Sequence, residues 1–169
     1  MPFTPPPVDD ILAALAERFG AVESSAFRGQ TRIVVPERDS LEVLRFLKEN
    51  GFDLLVDVTC VDYLEYRGAK RRYGLVYVLA ATATNRRLTV RVFLDDPDPV
   101  VRSVVPLWEA ANWLEREVWD MFGIRFAGHP DLRRLLMPEE FTAHPLRKDY
   151  PLQGRGERHN FPVITRDHS

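Results

Sequence analysis

One cysteine, Cys60, stands alone among 169 residues. It excludes an internal disulfide framework. It also excludes an iron–sulfur cluster held by this chain's own thiolates, because such clusters take about four. Long apolar runs are missing as well: the longest, residues 75–81, falls far short of the roughly 20 that span a bilayer. The start, MPFTPPPVDD, has neither a basic cluster nor an apolar stretch, so no secretory signal is expected. The chain therefore reads as intracellular, reaching a membrane only through partners. Nor does one sign of charge dominate. With 23 Lys+Arg against 25 Asp+Glu the net charge is −2, which argues against a dedicated nucleic-acid binder. No G-x-G-x-x-G, G-x-x-x-x-G-K-S/T or G-x-S-x-G occurs, and Gly154-Arg155-Gly156 reads as a plain loop. H-x-x-x-H, H-x-H and C-x-x-C spacings are absent too, so a metal site has no local support.

What is present is an ordinary globular composition, 45% hydrophobic and 28% charged, at a length that suits one domain with an appendage. Residues 1–7 carry four of the thirteen prolines and read as an extended arm. Val8, Ile11, Leu12, Leu15 and Phe19 recur at helical spacing, and Gly20 fits a helix end. Residues 31–35 read as a strand stopped by Pro36. Asp39 and Glu42 resemble a capping box for a helix with Leu41, Leu44 and Leu47 on its apolar face. Residues 53–63 alternate, with Leu54, Val56, Val58 and Cys60 expected on one face. Residues 73–81 and 88–94 follow as strands about a tight turn at Asn85-Arg86, with Leu88, Val90, Val92 and Leu94 inward. A helix is expected over 108–122. Helices mixed with an antiparallel or mixed sheet make an α+β fold over residues 8–122, followed by an extended C-terminal tail over 123–169.

The tail holds all four histidines and many apolar residues, too many for a solvated linker, so it needs a surface to lie on. Glu115, Arg116, Glu117 and Asp120 give the last helix a charged face, expected to be solvated with an Arg116–Asp120 pair one turn apart. Glu117 and Asp120 are adjacent enough for paired catalytic carboxylates, yet no nucleophile lies near in sequence. A third reading makes the face an acidic ledge that meets basic tail residues. Arg133-Arg134 and Arg147-Lys148 are basic pairs; with Asp149, Tyr150 and Pro151 the second has the mixture that interface cores favour. His129-Pro130-Asp131 and His144-Pro145 suit turns that pack and hydrogen-bond better than ligand helices. Cys60 is expected to be buried and inert. Trp108, Trp113 and Trp119 are expected mainly in the core and at its edge, an exposed one marking an anchor.

The run from Glu115 to Leu152, EREVWDMFGIRFAGHPDLRRLLMPEEFTAHPLRKDYPL, is more specific than any of these features. Three blocks stand in order: E-R-E-x-W/Y-D-x-F-G-I, G-H-P-D-L-R-R-L-L and H-P-L-R-K-D-Y-P-L. The run resembles the signature of the C-type subunit family of respiratory complex I, the proton-translocating NADH:quinone oxidoreductase; the family is also named for a mass near thirty kilodaltons. The resemblance implies a non-catalytic structural subunit of the peripheral arm, on the cytoplasmic or matrix side, clamping the large quinone-site subunit next to an iron–sulfur subunit. It implies that FMN, iron–sulfur clusters and quinone lie in partner subunits and none in this chain, while the whole complex passes electrons from NADH to quinone. The implied subunit contacts are Glu115, Arg116, Asp120, Phe122, Gly123, His129, Pro130, Asp131, Arg133, Arg134, His144, Pro145, Leu146, Arg147, Lys148, Asp149, Tyr150 and Pro151. Among them Arg133, Arg134 and Arg147 would be ion-pair anchors. Two departures stand out: Trp119 where tyrosine is common, and Ala143 where glycine usually precedes the second His-Pro. An equivalent subunit of a ferredoxin- or F420-driven oxidoreductase, or of a membrane-bound nickel–iron hydrogenase, shares the blocks. A metal-dependent hydrolase using His129, Asp131 and His144 is the remote alternative.

Overall fold

The computed structural model describes residues 8–156; the proline-rich arm and residues 157–169 lie outside them. Helix α1, Asp9–Phe19, buries Ile11 and Leu15 and ends at Gly20, whose φ of 85° with an extended ψ only glycine takes without strain. Next comes a strand the alternation rule could not find. β1, Glu23–Phe27, is exposed at every position, so it carries no burial rhythm. It forms a hairpin with β2, Gln30–Val35, through Arg28 and Gly29, both at positive φ as a tight twisted turn requires.

The expected capping box is not formed. A 3-10 turn, Glu37–Asp39, runs straight into α2, Ser40–Glu49, and Ser40 Oγ donates to Glu37 O at 2.7 Å. Glu42 is thereby left to pair with Arg45 at 2.8 Å.

β3 (Leu54–Asp62), β4 (Tyr73–Ala81) and β5 (Arg86–Leu94) complete a mixed five-stranded sheet in the order β1-β2-β5-β4-β3, with only β2 and β5 parallel. Asn85 supplies the left-handed residue (φ 57°) of the β4–β5 turn. Leu88, Val90, Val92 and Leu94 point inward as expected. β3 departs from expectation. A bulge between Leu55 and Asp57 shifts its phase, so Leu55, Val58, Cys60 and Asp62 are buried while Leu54 and Val56 face out. One extra residue exchanges the faces of everything before it.

All three helices lie on one side of the sheet. The third, α3, Ala111–Phe122, starts three residues later than expected because Leu107 and Trp108 both donate to Val104 O in a tight turn. Trp108 is buried and its indole donates to Asp53 O at 3.0 Å. β6 (Val100–Arg102) pairs in parallel with β7 (Arg125–Ala127), so the chain after α3 returns to the domain before it becomes irregular. The fold is α+β, with the tail laid along one end. No helix among the described residues is long and apolar enough to cross a membrane.

Candidate functional site

The polar residues of α3 do not form a solvated face. Glu115, Arg116 and Asp120 are buried. The tail folds back over Arg116 and Asp120, and its backbone supplies their partners. Asp120 Oδ2 accepts three successive N–H groups, from Leu135, Leu136 and Met137, at 3.0, 2.8 and 2.9 Å. Its Oδ1 takes Arg134 Nη1 at 2.5 Å. Burial alone would push this carboxyl up, but the three amides and the guanidinium outweigh it and hold the pKa below the usual carboxylate value. Arg116 serves the other end of the same segment, donating to Arg133 O at 3.1 Å and Arg134 O at 3.0 Å, while its guanidinium covers the Trp113 ring. The expected Arg116–Asp120 pair is therefore replaced: the carboxylate binds backbone amides and the guanidinium binds backbone carbonyls. Residues 132–137 form no helix, and their backbone is held instead by the Asp120 and Arg116 side chains.

Glu115 points to the opposite side. It accepts Val104 N–H at 2.6 Å and Ser103 Oγ–H at 2.7 Å, with His129 Nε2 at 4.0 Å. Burial pushes its pKa up to about 7 against the lowering effect of those two bonds. Glu117 is exposed, so it cannot form a carboxylate pair with buried Asp120.

The histidines serve different partners. His129 Nδ1 accepts the Asp131 N–H at 3.0 Å and Nε2 meets Asn112 O at 3.2 Å. His144 Nδ1 donates to Asp120 O at 3.0 Å, and its ring meets Trp119 edge-on. No group of three or more His, Cys, Asp or Glu side chains stands together as metal ligands among the described residues. Ala143 has no positive φ, so the turn before His144 carries no left-handed strain. Cys60 is buried, and burial pushes its thiol up to about 12.

A second anchor holds the H-P-L-R-K-D-Y-P block. Asp62, at the inward phase of β3, takes Arg72 Nη2 at 3.0 Å and the Lys148 N–H at 2.9 Å. Arg72 also pairs with Asp96, and with Asp149 at 3.0 Å. Arg147 pairs with Asp96 at 3.3 Å and Asp149 at 3.2 Å, and both guanidinium groups lie over Tyr73. Burial opposes charge on Asp62 and Asp149, yet their arginine partners hold both pKa values low. Asp62, Arg72, Tyr73 and Asp96 belong to no motif in the sequence. The available signal is an aspartate on the apolar phase of a strand.

Of the residues expected to meet a neighbour, Glu115, Arg116, Asp120 and Phe122 are thus buried inside the chain. Gly123, His129, Arg134, His144, Pro145, Arg147, Tyr150 and Pro151 are half-buried. Pro130, Asp131, Arg133, Leu146, Lys148 and Asp149 are exposed. Large apolar side chains also stand out from this end of the molecule: Trp113, Leu136, Leu146 and Leu152.

Comparison with known proteins agrees with this arrangement of blocks. Residues 33–156 match the family described as respiratory-chain NADH dehydrogenase, 30 Kd subunit. The C-type subunit of NADH-quinone oxidoreductase from Trichlorobacter lovleyi is 48% identical over 130 residues, 76% of this chain and 79% of that protein. Its counterpart of the same name from Burkholderia mallei is 44% identical over 161 residues, 91% of this chain and 80% of its own. Among solved structures, a trypsin-resistant fragment of Nqo5 superposes with a TM-score of 0.68 at 34% identity, covering 73% of this chain and 98% of that one. A chain of the membrane-bound sulfane sulfur reductase, an archaeal respiratory membrane complex, shares the fold with a TM-score of 0.76 at 23% identity, covering 94% and 93%. Motif blocks, fold and relatives converge, and the chain belongs to the family of 30 Kd subunits of respiratory-chain NADH dehydrogenase.

Proposed function

We propose that this chain is a structural, non-catalytic subunit of the peripheral arm of an NADH:quinone oxidoreductase, clamping the large quinone-site subunit next to an iron–sulfur subunit. The observation that carries this reading is how the tail is held. Its polar groups are satisfied within the chain by Asp120, Arg116, Asp62 and Arg72. Leu136, Leu146 and Leu152 are then left facing outward at 60%, 53% and 104% exposure. A rigid backbone that presents leucines is suited to fill pockets of a neighbour, because little ordering remains to be done on binding.

The electron carriers, FMN, iron–sulfur clusters and quinone, belong on this reading to the partner subunits. In support, the one thiol of the chain is buried with a raised pKa, and the polar side chains of the site are engaged with backbone. The chain would sit on the cytoplasmic (or matrix) side of the membrane. The archaeal neighbour favours a second reading, the equivalent subunit of a complex with another electron donor or acceptor.

Mild-detergent purification through a tag on this chain tests both readings. Co-elution of flavin, iron, a large partner and NADH:quinone reductase activity is the expected result. Elution of a membrane complex without flavin or NADH activity would favour the second reading, and a lone chain would refute both. Leu146→Glu should abolish co-elution while the purified chain keeps its melting temperature within a few degrees, since that side chain is 53% exposed.

A further inference from the structure

Among the described residues the helices cover one face of the sheet, and no helix lies on the opposite face. Its composition is divided. Along β3 and β4 it is mainly apolar: Val56 and Val61 are exposed beside half-buried Val76, Val78 and Ala80, with Thr59 opposite Val76 and Asp57 opposite Val78. Along β2 and β5 it is basic, with Arg32, Arg87 and Arg91 on the outward phase and Thr89 between the last two. The register sets the halves side by side: Val76 lies opposite Arg91, and Val78 opposite Thr89, itself opposite Arg32. Among the described residues none of these three arginines meets a carboxylate, and Arg91 Nε is buried without an acceptor. The acidic groups on this face, Glu23 and Asp57, lie on its two flanking strands. At one end the Tyr63 ring lies against bare Gly74 and against Phe93, closing a groove of about 550 Å³ over Val34 and Arg91.

We infer that this open face docks an amphipathic helix of a neighbouring subunit, its apolar stripe on the β3–β4 valines and its flanking carboxylates on Arg32, Arg87 and Arg91. The inference rests on the subunit reading above and adds a second contact surface, remote from the tail. Sheets bury a free face against helices, as the other side of this one already does. Carboxylates about two turns apart on such a helix would follow the arginine row, since Arg87 and Arg91 stand roughly 13 Å apart along β5. A second copy of this chain fits less well, because its exposed Asp10, Asp95, Asp96 and Asp98 are already paired with arginines of their own chain. Nucleic acid fits poorly too, because half of this face is apolar and its arginines are flanked by Glu23 and Asp57, so no concentrated positive field is there to track a phosphate backbone.

Val78→p-benzoylphenylalanine in the tagged full chain, photolysed within the assembled complex, tests this directly. Mapping of the cross-link to a helical segment of one other subunit, with Asp or Glu along one edge, is the expected result. Arg87→Glu, on an exposed side chain, should lower the cross-link yield at least fivefold at unchanged melting temperature of the free chain. Lysines replacing the mapped carboxylates should restore it. Assembly with flavin and quinone reductase activity but no cross-link from position 78 would overturn this inference alone. A cross-link to a second copy, to lipid or to nucleic acid would overturn it equally. A chain that assembles with nothing would sink it together with the subunit reading.

Discussion

A Cβ placed on Gly123 would lie 2.6 Å from Cδ2 of His144, and Gly123 itself sits at a φ of +77°. Helix α3 therefore ends where the tail's imidazole seals its last turn, and two independent restraints act on one residue. The His144 ring cannot retreat freely, because its Nδ1 is bonded to Asp120 O and it packs edge-on with Trp119. Gly123→Ala should combine the left-handed backbone cost, about 1 kcal/mol, with displacement of the ring. Gly128 provides the control: its φ is +84° but nothing lies within 4 Å of an added Cβ. Melting should thus show a clearly larger loss for Gly123→Ala than for Gly128→Ala, with new protease sensitivity in residues 144–156 for the first only. Equal losses would mean that the imidazole contact adds nothing.

The Asp120 carboxylate predicts a local rather than a diffuse defect. Asp120→Ala removes the acceptor of three amides and leaves Arg134 largely buried without its partner. Breaking a buried, hydrogen-bonded charge pair typically costs about 3–5 kcal/mol. In hydrogen exchange the amides of Leu135, Leu136 and Met137 should lose protection well before those of β4 and β5. Arg116→Met acts on the carbonyls of the same segment, so the two substitutions together should cost less than their sum. Full additivity would show that the two side chains hold the tail separately.

Arg72 joins three carboxylates from three places: Asp62 on β3, Asp96 after β5 and Asp149 in the tail. Because its side chain is only 11% exposed, salt should screen this knot less than it screens surface pairs such as Arg125–Asp98. Arg72→Gln should release the tail beyond residue 146 and destabilise the chain by about 2 kcal/mol or more. Arg147→Gln, half-buried and sharing only Asp96 and Asp149, should cost less. Denaturant midpoints of the two variants at low and high salt decide the order, and a larger effect for Arg147 would contradict the central place given to Arg72.

Much of this could be read from the residues beforehand. The β4–β5 pair, α1, α2 and the inward row of β5 follow from periodicity alone, and the order of the three blocks points to the family. The rest escaped for specific reasons. β1 has no buried side chain, so no pattern marks it. The β3 bulge inverts the faces of Leu54 and Leu55 without altering composition. Most consequential were Glu115, Arg116 and Asp120. Helical spacing puts them on a charged face, and charge ordinarily means solvent. Tail residues 133–137 cover Arg116 and Asp120, while Glu115 is held by Ser103 and Val104. The reading of an acidic ledge that meets basic tail residues holds for Asp120 and Arg134, but the backbone amides and carbonyls that complete the contact leave no mark in a single sequence.

Glu115 gives the clearest pH signature. Its folded pKa is raised from an ordinary 4.5 to about 7, chiefly by burial. The groups facing it are the Ser103 hydroxyl, the Val104 amide, His129 from the tail and Tyr77 from β4, whose own pKa burial and the Glu115 charge push up. His129 keeps Nδ1 as the acceptor of the Asp131 amide. A raised carboxyl pKa means the fold holds a proton that the unfolded chain has released. The associated stability is therefore fully present below about pH 4.5 and is lost as pH rises through about 7, a change on the order of 3 kcal/mol. Asp62, Asp120 and Asp149, with lowered pKa values, slope the other way but at more acid pH, where they begin to protonate. Glu115→Gln keeps an acceptor for Val104 and removes the titration. Denaturant unfolding of both chains at pH 5 and pH 7.5 should show the variant gaining on the parent as pH rises. Parallel stability profiles across that interval would mean that Glu115 is ionised in the fold throughout, with His129 or solvent compensating its charge.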